Sequence, residues 1–362
     1  SYSVPWSKCM KINKYLDSRI MNEVQKKDIQ EFAENFPLWE NLKGKTFLIT
    51  GATGLIGSTL CHCLLKLNDL YNTDIKILCP VRNLKKAESI FEGNDKLIIK
   101  QQELKEFLTD CNQGVDYIIH CATPTAGKYM VSNPVETYAY MIDSTIQLLQ
   151  FAYEKSIHGM VYVSSLEYYG QVYKEELITE DKQGYVDPTS PRSSYPLGKR
   201  AAEFACVSYA KEYNVPVTMA RLTQTFGAGI AKTENRVFAQ FARAAINGTD
   251  IVLKSSGNSS KPYSYTTDTA SGILTILLKG KAGEAYNVSN DETYISINDM
   301  AKLVKDNFNS IINIIHDYDP NSGYAPDTLL KLSSAKLQSL GWKPRYGLIE
   351  MYRRLIKYLK EL

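Results

Sequence analysis

Tyr195 and Lys199 are the residues of this sequence whose types and spacing best suit proton transfer. On a helix, side chains four positions apart lie on one face, so the phenol and the ammonium group would be neighbours. A lysine ammonium beside a phenol lowers the pKa of the phenol, which then exchanges a proton at neutral pH. Of the 25 tyrosines, Tyr195 alone has a lysine four residues further on. The spacing therefore predicts a tyrosine that acts as a general base or acid.

A hydroxyl group that holds the reacting oxygen is expected at the end of a strand that precedes this helix. The apolar segment that begins at Val161 has the pattern of a buried strand, and it ends in two adjacent serines, Ser164 and Ser165. The serines, the tyrosine and the lysine follow one another in the chain at a spacing that suits one shared site.

The glycines at 51, 54 and 57 indicate a binding site for a pyrophosphate. They lie between an apolar strand, Lys45–Thr50, and a helix that begins at Leu55. Glycine permits a tight turn there and lets the backbone approach a phosphate, which then sits at the N-terminus of the helix. The alternative is a plain strand-to-helix turn, but the position directly after a buried strand favours a dinucleotide. The residues expected to contact it are Gly51, Thr53, Gly54, Leu55, Ile56 and Gly57.

The end of the second predicted strand bears on the choice of dinucleotide. An acidic residue at this point binds the ribose of NAD, whereas an arginine favours the 2′-phosphate of NADP. This chain has Arg82 followed by Asn83, with Lys85 and Lys86 just beyond. We therefore expect NAD(P), with NADP favoured by Arg82. The alternative is a solvated charged loop that reads no phosphate.

The elements that would position these residues alternate between short strands and helices. Helical stretches, such as Pro134–Tyr153 and Leu197–Tyr213, lie between the strand patterns. This alternation predicts an α/β fold with a doubly wound parallel sheet that helices cover on both faces. After the first strand, the strand patterns recur at Ile75–Cys79, Leu97–Ile99, Tyr117–His120, Met160–Ser164 and Val215–Arg221.

The patterns divide the chain into three parts. Residues 1–43 are polar with apolar positions at helical spacing, which predicts a helical extension. Residues 44–225 would form the dinucleotide-binding domain. Residues 226–362 would form mainly a smaller, mostly helical substrate lobe, with some return to the first domain around 264–290.

Composition excludes several classes of protein. The 42 lysines and arginines nearly balance 39 acids, for a formal charge of +3, so nucleic acid is not expected as a partner. No apolar run approaches the ~20 residues that span a bilayer, so no membrane span is expected. The seven cysteines include no C-x-x-C pair and the four histidines lack ligand spacing. We therefore expect no metal and a reducing, cytoplasmic setting.

Taken together, these motifs resemble those of the extended short-chain dehydrogenase/reductase family, in the branch of nucleotide-sugar epimerases, dehydratases and decarboxylases. The resemblance covers residue 44 to the end and implies a Rossmann-type domain, a nucleotide-sugar substrate and a homodimer. Ser165, Tyr195 and Lys199 fall on the family's catalytic Ser/Thr, Tyr and Lys. Ile119–Thr123 is similar to the strand end that lines the cofactor, which implies cofactor contacts by Ala122 and Thr123, and by Tyr195 and Lys199. The residues that it implies for the substrate are Pro124, Glu167, Gln224, Arg236 and Lys261.

The departures from the family pattern bear on the reaction. Dehydratases of this branch carry Thr-Asp-Glu after the strand, and the Asp gives a proton to the leaving hydroxyl. This chain has Ser165-Leu166-Glu167, so that acid is missing. Lys261 stands where the family has an arginine that grips the diphosphate; the charge is kept, but the bidentate geometry is lost.

The resemblance implies an enzyme that oxidises a sugar hydroxyl at C4 with bound NAD(P). Tyr195 would be the base, Lys199 would tune it and hold the nicotinamide ribose, and Ser165 would bond the reacting oxygen. Glu167 would move a second proton or bind the sugar. A 4-epimerase or sugar-acid decarboxylase is favoured over a dehydratase. Two alternatives remain, namely an NADPH-dependent reductase of a nucleotide-linked ketose or keto-sugar, motivated by Arg82, and a non-catalytic dinucleotide-binding sensor.

Overall fold

The computed structural model describes residues 21–91, 93–123, 127–318 and 327–362. Its strands are β1 (Thr46–Thr50), β2 (Lys76–Val81), β3 (Leu97–Gln101), β4 (Tyr117–His120), β5 (Gly159–Ser165), β6 (Leu177–Ile178), β7 (Val217–Leu222), β8 (Gln224–Phe226), β9 (Ile251–Leu253), β10 (Ser260–Tyr265), β11 (Ala285–Val288), β12 (Asn290–Ser296), β13 (Ile314–His316) and β14 (Lys331–Leu332). The ends of the strands predicted for the main sheet differ from the observed ends by at most two residues.

The α-helices pack on both sides of the main sheet and in the C-terminal lobe. They are α1 (Glu23–Asn35), α2 (Leu55–Tyr71), α3 (Leu84–Glu88), α4 (Leu104–Asp110), α5 (Gly127–Ser132), α6 (Pro134–Lys155), α7 (Ser194–Tyr213), α8 (Val237–Asn247), α9 (Thr266–Lys279), α10 (Ile297–Phe308), α11 (Ala335–Gln338) and α12 (Leu348–Lys360). Short 3₁₀ helices cover Trp39–Leu42, Leu166–Tyr169 and Pro191–Ser193.

Seven parallel strands form the main sheet in the order β11-β7-β5-β4-β1-β2-β3. One apolar layer, with α1, α2 and α9, covers one face, and a second layer, with α4, α6 and α7, covers the other. This confirms the doubly wound, Rossmann-type fold. The winding reverses between β1 and β4, and ligands of such sheets bind in the crevice at the carboxyl ends of the strands where it reverses. Thr50 and His120 are paired at that point.

The C-terminal lobe has its own apolar core, built from α8, α10 and α12 against the three-stranded sheet β12-β10-β8. The sequence patterns did not single out these strands, because β10 and β12 consist largely of polar residues and β8 has only three residues. β11 departs from the lobe and pairs with β7 at the edge of the main sheet. The lobe is therefore tied directly to the main sheet.

Three further properties concern the described part of the chain alone. Within it, no helix is long and apolar enough to cross a membrane. No group of His, Cys, Asp and Glu in the same ranges is arranged to hold a metal ion. The cysteines that the structure describes are free thiols: Cys61, Cys63, Cys79, Cys111, Cys121 and Cys206.

Candidate active site

A cleft of about 780 Å³ opens at the carboxyl ends of β1 and β4 and runs towards the C-terminal lobe. Its volume lies in the upper part of the range for ligand sites. It brings together every predicted site residue that the structure describes, and Pro124 lies outside the described residues. These lining residues are Gly51, Thr53, Gly54, Leu55, Ile56, Gly57, Arg82, Asn83, Ala122, Thr123, Ser165, Glu167, Tyr195, Lys199, Gln224, Arg236 and Lys261.

The glycine turn has a shape that no other residue type would allow. Gly51 has a φ of +70°, and a Cβ on it would lie 2.7 Å from the backbone nitrogen of Ala122. A Cβ on Gly57 would lie 2.2 Å from the carbonyl oxygen of Gly51. The first turn of α2 therefore packs directly on the end of β1, with its backbone at the wall of the cleft.

The N-terminus of α2 fits an anionic group. Gly54 is the N-cap, and among the described residues no side chain caps this end and no acid lies in its first turn. The first N–H groups of a helix have no partner within the helix, and the helix dipole favours negative charge there. The turn thus suits the pyrophosphate of a dinucleotide, which Leu55, Ile56 and Gly57 would hold through their backbone.

A buried hydrogen-bonded chain supports the cofactor side of the cleft. The Ala122 N–H donates to Thr50 Oγ1 (3.2 Å), which contacts His120 Nδ1 (2.7 Å). His120 Nε2 contacts Ser144 Oγ (3.1 Å), and that hydroxyl donates to the carbonyl oxygen of Tyr140 (2.6 Å). Burial lowers the pKa of His120 to about 3, so the ring is neutral at pH 7. The chain fixes the backbone at Ala122, where the cofactor is expected.

The end of β2 places Arg82 at the surface of the cleft. The Arg82 guanidinium lies 5.8 Å from the centroid of the Tyr140 ring. Asn83 caps α3, since its side chain accepts a hydrogen bond from the Lys86 N–H at 2.9 Å. Lys86 also lines the cleft, whereas Lys85 does not. Arg82 and Lys86 are thus the cations available to a phosphate at this end.

The Tyr-Lys pair lies at the start of α7, with Tyr195 in the first helical turn. Lys199 Nζ donates to the carbonyl oxygen of Val163 (2.8 Å) and lies 5.4 Å from the centroid of the Tyr195 ring. Lys199 is only 2% exposed. Burial, offset in part by the carboxylate of Glu203, lowers the pKa of Lys199 to about 8.

The expectation that the pKa of Tyr195 lies below its ordinary value is wrong for the protein without ligands. Burial and the nearby Glu167 carboxylate raise the pKa of the Tyr195 hydroxyl, and a hydrogen bond from Ser165 opposes them. The reason is that burial of the phenol and the charge of Glu167 disfavour the phenolate more than one lysine favours it. Tyr195 is therefore a protonated phenol until a ligand changes its surroundings.

The structure separates the two serines. Ser164 is buried, and its hydroxyl donates to Glu203 Oε1 at 2.5 Å. Ser165 is only partly buried, hydrogen-bonds Tyr195 and accepts from the Glu167 N–H at 3.2 Å. Ser165 is thus the serine hydroxyl that meets the phenol.

Glu167 faces two cations at the far end of the cleft. Confinement by the cleft walls raises the pKa of the Glu167 carboxyl, while the charges of Lys261 and Lys199 lower it. Burial lowers the pKa of Lys261, Glu167 raises it and Arg236 lowers it. Arg236, at the N-cap of α8, is paired with Glu234 at 2.6 Å. The group therefore combines Glu167 with Lys261 beside Tyr195, while the charge of Arg236 is paired with Glu234.

Sequence reasoning missed the support beneath this site. Glu203 makes a buried ion pair with Arg221, from Nη2 to Oε2 at 2.7 Å. The Arg221 side chain does not line the cleft and donates a hydrogen bond to the Tyr169 hydroxyl oxygen at 3.0 Å. The available signal was the position of Glu203, one helical turn after Lys199. Other lining residues that were missed include Gln102, Glu103, Tyr140, Asn235 and Tyr263.

Comparison with known proteins agrees with this geometry. The model of the NAD dependent epimerase/dehydratase family matches residues 47–289. UDP-glucuronic acid decarboxylase 1 of Danio rerio is 27% identical over an alignment of 366 residues, gaps included, that covers 96% of this chain and 82% of that protein. The dTDP-D-glucose 4,6-dehydratase of Homo sapiens is 27% identical over 332 residues, which cover 88% of this chain and 90% of that protein. The Bordetella bronchiseptica enzyme WbmF in complex with NAD+ and UDP has a TM-score of 0.70 at 19% identity, covering 89% of this chain and 94% of WbmF.

The fold and the cleft define an enzyme that uses a nicotinamide dinucleotide. The matched span includes the glycine turn, Ser165, Tyr195 and Lys199. The chain belongs to the NAD-dependent epimerase/dehydratase family.

Proposed function

We propose that this enzyme decarboxylates a UDP-linked sugar acid, through oxidation at C4 of the sugar and return of the hydride. The observation that carries the proposal is Glu167, which shares the cleft with Tyr195 and lies near Lys261. A carboxylate of the substrate would pair with Lys261 there, and a second proton-transfer group stands beside the first. The relatives that are UDP-glucuronic acid decarboxylases support this substrate class. Leu166 occupies the place of the dehydratase acid, so a dehydratase is disfavoured.

The residues of the chain divide the work of the first half-reaction. A bound nicotinamide dinucleotide supplies the hydride acceptor and, later, the donor. Tyr195 takes the proton of the C4 hydroxyl, and Ser165 hydrogen-bonds the same oxygen. Lys199 keeps positive charge near the phenolate and the nicotinamide ribose, which offsets the unfavourable burial of Tyr195.

Loss of carbon dioxide follows from the chemistry of the 4-ketone. The carboxyl group on C5 is then β to a carbonyl group, so the C5–C6 bond breaks and its electron pair moves towards the C4 oxygen. Under this proposal Glu167 returns a proton to C5, which restores the ketone. Tyr195 would then return its proton to the C4 oxygen, and the hydride supplied by the bound dinucleotide would restore C4 without net use of the cofactor.

The test is to incubate the enzyme with UDP-glucuronic acid and catalytic NAD+, and to follow product mass and reduced-nicotinamide absorbance. We expect many turnovers per dinucleotide and a product lighter by one carbon dioxide. UDP-glucose, which lacks the carboxylate, is the matched control substrate. A product of unchanged mass would indicate an epimerase instead. In a parallel incubation with NADPH, one NADPH oxidised per product, with a gain of two hydrogens, would establish a reductase.

The second candidate, an NADPH-dependent reductase, is favoured by the positions of Arg82 and Lys86 in the cleft. Under this proposal Arg82 pairs with the 2′-phosphate of NADP. The loss of a charged hydrogen bond costs roughly 1.5–3 kcal/mol, so Arg82→Ala is expected to weaken NADP binding about ten- to a hundredfold and to spare NAD. Titration of both dinucleotides into stripped protein measures the effect. Lys85→Ala, outside the cleft, is the matched control. Equal weakening of both dinucleotides, or of neither, would leave NAD as the cofactor.

We also propose a homodimer that forms through α6 and α7. These helices pack together and leave large apolar side chains on their outer faces, with Val135 and Phe204 each 73% exposed. Tyr138, Ile146 and Tyr153 on α6 and Tyr213 on α7 extend this surface. Sedimentation velocity at micromolar concentration tests it, and a monomer there would refute it. The cytoplasmic location stays a prediction.

A further inference from the structure

α1 lies outside the span matched by the family model, yet it is built into the body of the protein. Its start is closed by a capping box, in which Asn22 and Gln25 each bond the other's backbone N–H. Its buried face packs against α2, α9 and α12. The helix therefore touches both the cofactor side and the C-terminal lobe.

A buried acid on this face makes the main polar contact. Asp28 is 2% exposed; it accepts a hydrogen bond from the Tyr265 hydroxyl on Oδ2 (2.5 Å) and one from Arg354 Nη1 on Oδ1 (2.6 Å). Arg354 is held in turn by Glu31 and Glu350. Two short hydrogen bonds, one of them from a charged guanidinium, hold a buried carboxylate in a fixed orientation. Asp28 thus fixes the end of the Tyr265 side chain.

Tyr265 passes this restraint to a loop that reaches the cleft. Its hydroxyl oxygen accepts the Ala228 N–H at 3.4 Å, and a Cβ on Gly227 would lie 2.6 Å from its ring. The loop that begins at Gly227 ends at Arg236, which lines the cleft together with Asn235.

α1 and the cofactor helix meet the same loop. A Cβ built on Gly229 would lie 3.1 Å from Gln25 Nε2 and 3.4 Å from Leu55 Cδ1. Leu55 is the first residue of α2 and lines the cleft. One side of the loop is therefore pressed against α1 and the start of the cofactor helix, while Tyr265 holds its backbone.

We propose that α1 is a positioning element of the active site, in which Asp28, acting through Tyr265, holds residues 227–236 so that Arg236 and Asn235 face the sugar end of the cleft. Asp28 and Tyr265 are positioning residues, since neither lines the cleft. The consequence for turnover rests on the proposed function, but the ordering of the loop does not.

The test compares two tyrosines that each donate a hydroxyl to an acid of α1. Tyr265→Phe removes the bond to Asp28 and the acceptor for Ala228. Tyr346→Phe removes the hydrogen bond from the Tyr346 hydroxyl to Glu31 (2.7 Å), an acid on the same helix. Among the described residues, Tyr346 makes no hydrogen bond to the loop 227–236. Hydrogen exchange of the peptide that covers 227–236 is measured in each variant without any sugar. We expect exchange of this peptide to be about tenfold faster in Tyr265→Phe, the effect of losing one hydrogen bond to a charged group. In Tyr346→Phe the exchange rate should equal that of the wild type.

The kinetic arm uses UDP-glucuronic acid. Tyr265→Phe is expected to raise KM about tenfold with kcat within about twofold, while dinucleotide binding is unchanged. Asp28→Asn should give the same faster exchange of residues 227–236. If Asp28→Asn does not fold, Tyr265→Phe alone tests the proposal. Equal exchange in the two tyrosine variants would overturn the proposal. Failure of the wild type to convert UDP-glucuronic acid would refute the proposed function alone, since the exchange arm needs no substrate.

Discussion

Tyr195→Phe is expected to leave the protein folded with its dinucleotide bound and to lower turnover about 10²- to 10⁴-fold, the usual contribution of a general acid–base group. The ring stays in place, so packing at the start of α7 is preserved. The lost hydroxyl is the one that hydrogen-bonds Ser165 and adjoins Glu167. Steady-state turnover of UDP-glucuronic acid and dinucleotide titration measure the two halves of this expectation.

Tyr162→Phe is the matched control for this variant. Tyr162 is buried on β5, and its ring lies 4.8 Å from Lys199 Nζ. Its hydroxyl has no hydrogen-bond partner among the residues that the structure describes. Loss of this hydroxyl near the same lysine should change turnover less than threefold. If Tyr195→Phe keeps turnover within threefold of wild type, the assignment of Tyr195 as the base is wrong.

The sequence allowed the main sheet and the residues around the cleft to be predicted, because both depend on local pattern. Short apolar strands between helices define a parallel sheet, and the carboxyl ends of its strands meet at one edge. Gly51, Ser165 and Arg82 each follow or end a predicted strand, so their meeting in one cleft required no knowledge of side-chain packing. The roles given to them stay predictions.

Features that depend on contacts between distant segments of the chain could not be predicted from the sequence. Glu203 gains its partner Arg221 only when α7 packs on β7, and Asp28 meets Tyr265 across 237 positions of chain. The pKa of Tyr195 was misjudged for the same reason. Helical spacing identified Lys199 as a neighbour, but burial and Glu167, which act in the opposite direction, appear only in three dimensions.

The second large effect is expected from Glu167→Gln, which keeps the shape of the side chain and removes its charge and its proton. If Glu167 returns a proton to C5, overall turnover of UDP-glucuronic acid should fall about 10²-fold or more. The first oxidation needs Tyr195 rather than Glu167, so reduced nicotinamide should still form, up to about one equivalent per active site. Stopped-flow absorbance of the reduced-nicotinamide band, together with product mass, separates these two steps.

Glu103→Gln is the matched control, because Glu103 is an exposed carboxylate at the other end of the same cleft, after β3. It should leave turnover at saturating dinucleotide within about twofold.

Glu167→Gln should also shift the pH dependence of the first oxidation. Since the Glu167 carboxylate raises the pKa of Tyr195, its removal favours the phenolate, and the rise of the oxidation rate with pH should move to lower pH. A variant that decarboxylates at the wild-type rate would show that Glu167 moves no proton in the cycle. A variant that forms no reduced nicotinamide would place Glu167 in the first oxidation instead.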